Sequence, residues 1–136
     1  MAANTPFLKG EEKLGPLASR YVKVDDLPWQ DTRFPGVRMK VLLEDKESGL
    51  VTGLFRFAPG AKLPFHEHVE IEQTYVLEGT LEDDEGVARA GEFVWRPAGN
   101  RHEAHSPNGC LVFSIFLKPN TFLDKNTVGW DTKGGT

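Results

Sequence analysis

GAKLPFHEHVEIEQTYVLEG, residues 60–79, carries two of the four histidines in a chain of 136 residues. On an extended strand, residues two apart point to the same face, so His66 and His68 aim together. Glu72 keeps that parity if the chain stays extended. If the chain turns at Val69-Glu70-Ile71, Glu72 returns toward the pair from the next strand. A third histidine, His102, lies far along the chain, just after the tight turn Pro97-Ala98-Gly99 and at the start of another strand. Three imidazoles and one carboxylate suit a borderline divalent ion such as Fe(II), Mn(II), Zn(II), Ni(II) or Cu(II). The plain alternative is a charged surface strand that happens to contain histidine. Glu67 and Glu70 fit that description, and His105, three residues after His102, falls on the opposite face.

The surrounding sequence reads as strands. Val37, Met39, Val41 and Leu43 alternate with Arg38, Lys40 and Glu44, interrupted by apolar Leu42. Residues 45–49 are a turn and Leu50 to Phe57 the returning strand, in which Gly53 marks a bulge or a close contact. Gln73 to Leu77 is expected to stop at Glu78-Gly79, and Glu92 to Arg96 at Pro97. Cys110 to Leu117 is apolar on both faces, which predicts burial on both sides. No window shows a convincing helical period. Fourteen Gly and nine Pro punctuate these runs, as in a β-sandwich or barrel. Residues 1–20 and the tail from Pro119 look irregular and read as arms. Trp95, Phe113, Ile115 and Phe116 read as core or interface. Tyr75, Arg56 and Arg96 are candidates to reach the cavity.

The bulk properties bound the function. The length fits one domain. A net charge of −4 with no basic stripe points away from nucleic acid. No apolar run is long enough for a membrane helix or a signal segment. Cys110 is the only cysteine, so no internal disulfide forms, and a reducing cytoplasm is the expected location.

The spacing Gly60-x5-His66-x-His68-x3-Glu72-x6-Gly79, followed by Gly91-x5-Pro97-x-Gly99-x2-His102, resembles the two motifs of the cupin superfamily. Ser106 stands where the second motif often has Asn. The resemblance covers roughly Gly36 to Leu117. It implies a single cupin domain over 1–136, an all-β, small antiparallel jelly-roll barrel over about 21–118. It also implies that His66, His68, Glu72 and His102 bind one divalent transition metal, Fe(II) first, with Zn, Mn or Ni as alternatives. Only eleven residues, TLEDDEGVARA, separate the motifs. That spacing and the flanking phrases are similar to the ChrR-like branch, which includes proteins similar to acetylacetone dioxygenase. The acetylacetone enzyme holds iron with histidines alone, so Glu72 is a difference from it.

The resemblance implies a non-haem Fe(II) dioxygenase that cleaves a small β-diketone-like substrate with O2. The alternatives are a Zn- or Mn-dependent isomerase or hydrolase of a small sugar or keto acid, and a non-catalytic metal-binding sensor of the anti-sigma type. The sensor would call for a fused helical segment, for which this length has no room. Cupins also commonly pair through barrel strands, which implies a homodimer.

Overall fold

In a computed structural model the chain is all-β; the structure describes residues 3–122, 127, 128 and 130. Twelve strands are described: β1 (Ala3–Asn4), β2 (Gln30–Asp31), β3 (Val37–Asp45), β4 (Leu50–Phe57), β5 (Ala61–Glu67), β6 (Glu72–Glu82), β7 (Val87–Arg89), β8 (Phe93–Arg96), β9 (Arg101–Ser106), β10 (Cys110–Phe116), β11 (Thr121–Phe122) and β12 (Thr127–Val128). Short 3-10 turns at Glu11–Lys13 and Val24–Asp26 are the helical elements among these residues. No described helix is long and apolar enough to cross a membrane. The sheet curls in the order β1-β3-β4-β10-β6-β9-β5-β11-β12, with β2 beside β3 and β7 and β8 beside β6. Every pairing is antiparallel, as in a jelly roll.

The alternation read in β3 holds in side-chain direction, though Lys40 is buried as well with its Nζ over the Trp29 ring, and its interruption has a structural cause. The register against β4 shifts between Val41 and Leu43, so Leu42 is the extra residue of a β-bulge. Thr5 Oγ1 donates to the Leu42 carbonyl at 2.7 Å, tying the N-terminal segment to the bulge. Gly53 sits opposite Val41, where an added Cβ would lie 2.7 Å from the Lys40 carbonyl oxygen. It marks a close backbone approach.

Two expectations change. β6 runs through Gly79 to Glu82, because Gly79 takes φ 72 and the ladder with β10 shifts register nearby. The glycine bends the strand and does not end it. β10 is buried on one face only: Cys110, Val112, Ser114 and Phe116 face the core, and Leu111, Phe113 and Ile115 are half-buried outside. Tyr75 on its partner β6, and Phe93 and Trp95 on β8 beyond, are exposed on that outer side. Burial raises the pKa of the Cys110 thiol above its ordinary value.

The inward face packs Phe55, Val76, Val112 and Phe116 against one another. The tail read as irregular supplies β11, which pairs with β5, and two core aromatics, Phe122 and Trp130. Residues 123–126, 129 and 131–136 of that tail lie outside the described residues.

Gly79 gives a stability test. An added Cβ would meet the Gly109 oxygen at 2.0 Å and the Cys110 Cα at 2.9 Å, whereas one at Gly60, with φ 83, meets nothing within 4 Å. Both substitutions strain a left-handed residue by about 1 kcal/mol. Gly79→Ala also displaces backbone, so it is expected to cost about 3 kcal/mol or more against about 1 for Gly60→Ala. Urea midpoints measure the difference.

Candidate metal centre

β5 and β9 pair so that His66 lies directly opposite His102. β9 alternates exposed and buried residues, sending His102, Ala104 and Ser106 inward and His105 to solvent. His68 follows the end of β5, and the chain turns there instead of staying extended. Its N–H donates to the Asn100 carbonyl at 2.8 Å, and its carbonyl accepts from the Gly99 N–H at 2.7 Å. Gly99, at φ 90, makes the tight turn that pins His68 beside the strand carrying His102.

The three rings converge. Nε2 of His68 lies 3.2 Å from Nε2 of His66 and 2.9 Å from Nε2 of His102. One nitrogen from each ring lies within 4.8 Å of the others. All three residues are buried. Burial lowers the His66 imidazole from 6.5 to about 4, against the opposing hydrogen bond to Pro64, and lowers His68 to about 2. His102 is lowered by burial and by Arg96, with Asp83 opposing. The rings are therefore neutral at pH 7.

Hydrogen bonds settle where the protons are. Nδ1 of His66 donates to the Pro64 carbonyl at 2.8 Å, and Nδ1 of His102 to Asp83 Oδ2 at 2.7 Å. Neither acceptor has a proton to give, so Nε2 of both rings presents a lone pair. A proton on His68 Nε2 can satisfy only one of its two neighbours. At least one pair of lone pairs is left facing across a buried gap, and a cation is what such a gap accepts. Nitrogens about 2.0–2.1 Å from one ion, at angles of about 90–110°, lie about 2.9–3.4 Å apart. The 2.9 and 3.2 Å separations that involve His68 match that spacing and the third pair lies within 4.8 Å, so these residues fit a divalent ion once the His66 and His102 rings close on it.

Glu72 is buried at the same site but outside the three converging nitrogens. Its Oε2 lies 3.2 Å from the far nitrogen of His68, Nδ1, out of line for a hydrogen bond. Oε1 accepts from Thr74 Oγ1 at 2.9 Å, and Thr74 in turn meets Ser114 Oγ at 2.8 Å. Burial raises the Glu72 pKa, with Arg96 and Thr74 opposing.

Two groups join that the sequence pattern did not single out or could not orient. Arg96 is buried, donates to Asp83 Oδ2 at 2.8 Å and lies 3.7 Å from Glu72. Asp83 thus links Arg96 to His102. Burial opposes ionisation of Asp83, but the His102 hydrogen bond and Arg96 outweigh it and its pKa is lowered. Of the other candidates, Tyr75 is exposed, and Arg56 faces outward beside Glu78 at 3.7 Å. Ser106, fully buried, donates to the Thr80 carbonyl at 2.6 Å and braces β9 against β6. The interior beside the histidines is walled by Phe55, Leu63, Val112, Phe116 and Trp130 and leaves about 20 Å³ free.

Asp83→Asn removes the ionised acceptor that orients His102. Outer partners of this kind are worth about 10–100-fold in metal affinity. Competition with a chromophoric chelator is expected to show a Zn(II) affinity weaker by that factor, with one site per chain retained.

Comparison with known proteins agrees with this architecture. Acetylacetone dioxygenase from Acinetobacter johnsonii is 23% identical and superposes with a TM-score of 0.72 over 82% of this chain and 83% of that one. The polyketide cyclase RemF from Streptomyces resistomycificus is 23% identical, with a TM-score of 0.61 over 72% and 78%. A chain from the Rhodobacter sphaeroides complex of SigE with the anti-sigma ChrR is 23% identical, with a TM-score of 0.59 over 69% and 51%. At such identities the likeness is one of fold. No curated protein sequence matches the chain. The model of the ChrR cupin-like domain matches residues 17–119, most of the chain, and the protein belongs to that cupin family.

Proposed function

We propose that this chain is a metal-dependent cupin oxygenase, a non-haem Fe(II) dioxygenase that cleaves a small β-diketone-like substrate. The observation that carries this reading is the convergence of three neutral, buried imidazole nitrogens beside an apolar barrel interior. The fold shared with the Acinetobacter acetylacetone dioxygenase supports it. His66, His68 and His102 would hold the ion. Asp83 would orient His102, and Glu72, 3.2 Å from His68 Nδ1, would act on that ring through its charge, a supporting role in place of the fourth-ligand role expected from its motif position. When bound, Fe(II) supplies Lewis acidity toward a chelating enolate and electrons toward O2.

The protein's own contribution is charge and dryness. Arg96 places a buried guanidinium within the site, offset by Glu72 and Asp83, so an anionic substrate would be favoured only once the ion's charge is added. Phe55, Leu63 and Phe116 keep bulk water from the reacting groups. The lone cysteine supports a cytoplasmic location.

Metal analysis of freshly purified protein, followed by oxygen uptake with β-diketones, tests the reading. About one iron per chain is expected, lost in His102→Ala, with O2 consumed only when a β-diketone is present. Glu72→Gln is expected to keep the metal with affinity weaker by about tenfold. Complete loss of metal in Glu72→Gln would make Glu72 a direct ligand. Zinc or manganese with no O2 uptake would turn the assignment to the isomerase, hydrolase or sensor readings.

We also propose a homodimer. The outer face of β10, with Tyr75, Phe93 and Trp95 beside it, offers an apolar sheet surface of the kind a second copy covers. Sedimentation equilibrium is expected to give twice the 15.2 kDa chain mass at micromolar concentration. A monomer, or a dimer that survives Trp95→Glu unchanged, would count against this face.

A further inference from the structure

We propose that Trp130 determines the size of the ligand that the metal centre admits. The inference rests on the metal-site reading above, but not on the identity of the substrate. The free space beside the histidines is about 20 Å³. That is room for about one water, whereas a cavity of about 150 Å³ is needed for a molecule as small as benzene. An organic ligand that reaches the histidines must therefore take volume from one of the walls.

The walls are not equally held. Phe55, Leu63 and Phe116 sit on β4, β5 and β10, each of which is paired on both sides. Displacing the backbone at Phe55 or Phe116 disturbs two ladders of hydrogen bonds, and at Leu63 the ladder with β9. Trp130 lines the same cavity and belongs to no strand. It is 8% exposed, and the interactions described for it are ring contacts: 4.5 Å between centroids to Phe55, 5.7 Å to Phe116, 5.9 Å to Phe34 and 6.4 Å to Phe122. Phe122 in turn packs on His66 at 5.1 Å. The indole thus fills the interior next to the ligating rings, and Trp130 stands outside the described strands. Its bulk, set by one side chain, is the adjustable dimension of the site.

Phe34 supplies the control. It packs on Trp130 and Phe122 but does not line the cavity. Phe34→Leu loosens the same aromatic cluster without removing a wall.

The test uses the Co(II)-loaded protein, whose visible bands respond to a new ligand on the metal. Wild type, Trp130→Ala, Trp130→Phe and Phe34→Leu are titrated with imidazole and with phenylimidazole, two metal ligands that differ by one ring. Wild type is expected to prefer imidazole by about 100-fold or more. Trp130→Ala is expected to narrow the preference to about tenfold or less, Trp130→Phe to fall between, and Phe34→Leu to match wild type. An unchanged preference in both Trp130 variants would overturn the inference, as would an equal shift in Phe34→Leu. If Trp130→Ala does not fold, Trp130→Phe decides. Absence of Co(II) bands in wild type would instead overturn the metal reading, and this inference with it.

Discussion

Lone pairs that face one another in a dry interior repel, and this site is organised around aiming those of His66 and His102 at one point with His68 between them. The antiparallel register of β5 and β9 sets His66 against His102. The Gly99 turn brings His68 in beside them. The Pro64 carbonyl and the Asp83 carboxylate take the Nδ1 protons and so aim the opposite nitrogens inward. Each device acts on one ring, and together they convert a desolvation cost into a cation-binding pocket. Burial, which keeps the rings unprotonated, also keeps protons from competing with a metal at neutral pH.

The charged groups behind the histidines form a second constraint. Two buried carboxylates, Glu72 and Asp83, flank one buried guanidinium, Arg96. Taken as ionised they sum to one negative charge, which a divalent ion would turn into one positive. Thr74 and Ser114 extend the network to β10, so the charges are braced from the central strand as well as from β6.

Much of this was legible in the sequence, for identifiable reasons. Period-two alternation located β3, and its one apolar interruption coincided with the bulge at Leu42. The strand parity of His66 and His68, the turn before His102 and the outward parity of His105 all follow from local geometry. Asp83 was not legible. It sits in an acidic run, LEDDEG, where composition reads as a solvated turn, and its approach to His102 depends on how β6 and β9 cross. Arg96 could be suspected but not oriented, because its direction depends on the pairing of β8 with β6. Trp130 was hidden for another reason: a lone aromatic among Gly, Asn, Asp and Lys carries no periodic signal, and only the curled sheet shows the space it fills.

The chain's single thiol has a use that its burial creates. Cys110 begins β10, the strand held between β4 and β6 at the middle of the sheet, and burial keeps its sulfur protonated and unreactive. No second cysteine exists to pair with it or to blur a signal. Cys110 also lines the surface pocket bordered by Arg38, Arg56 and Glu78, so a thiol reagent needs only the Gly109 end of β10 to open. Its rate of labelling therefore reports the local opening of that strand end, a stability that a global unfolding curve averages away.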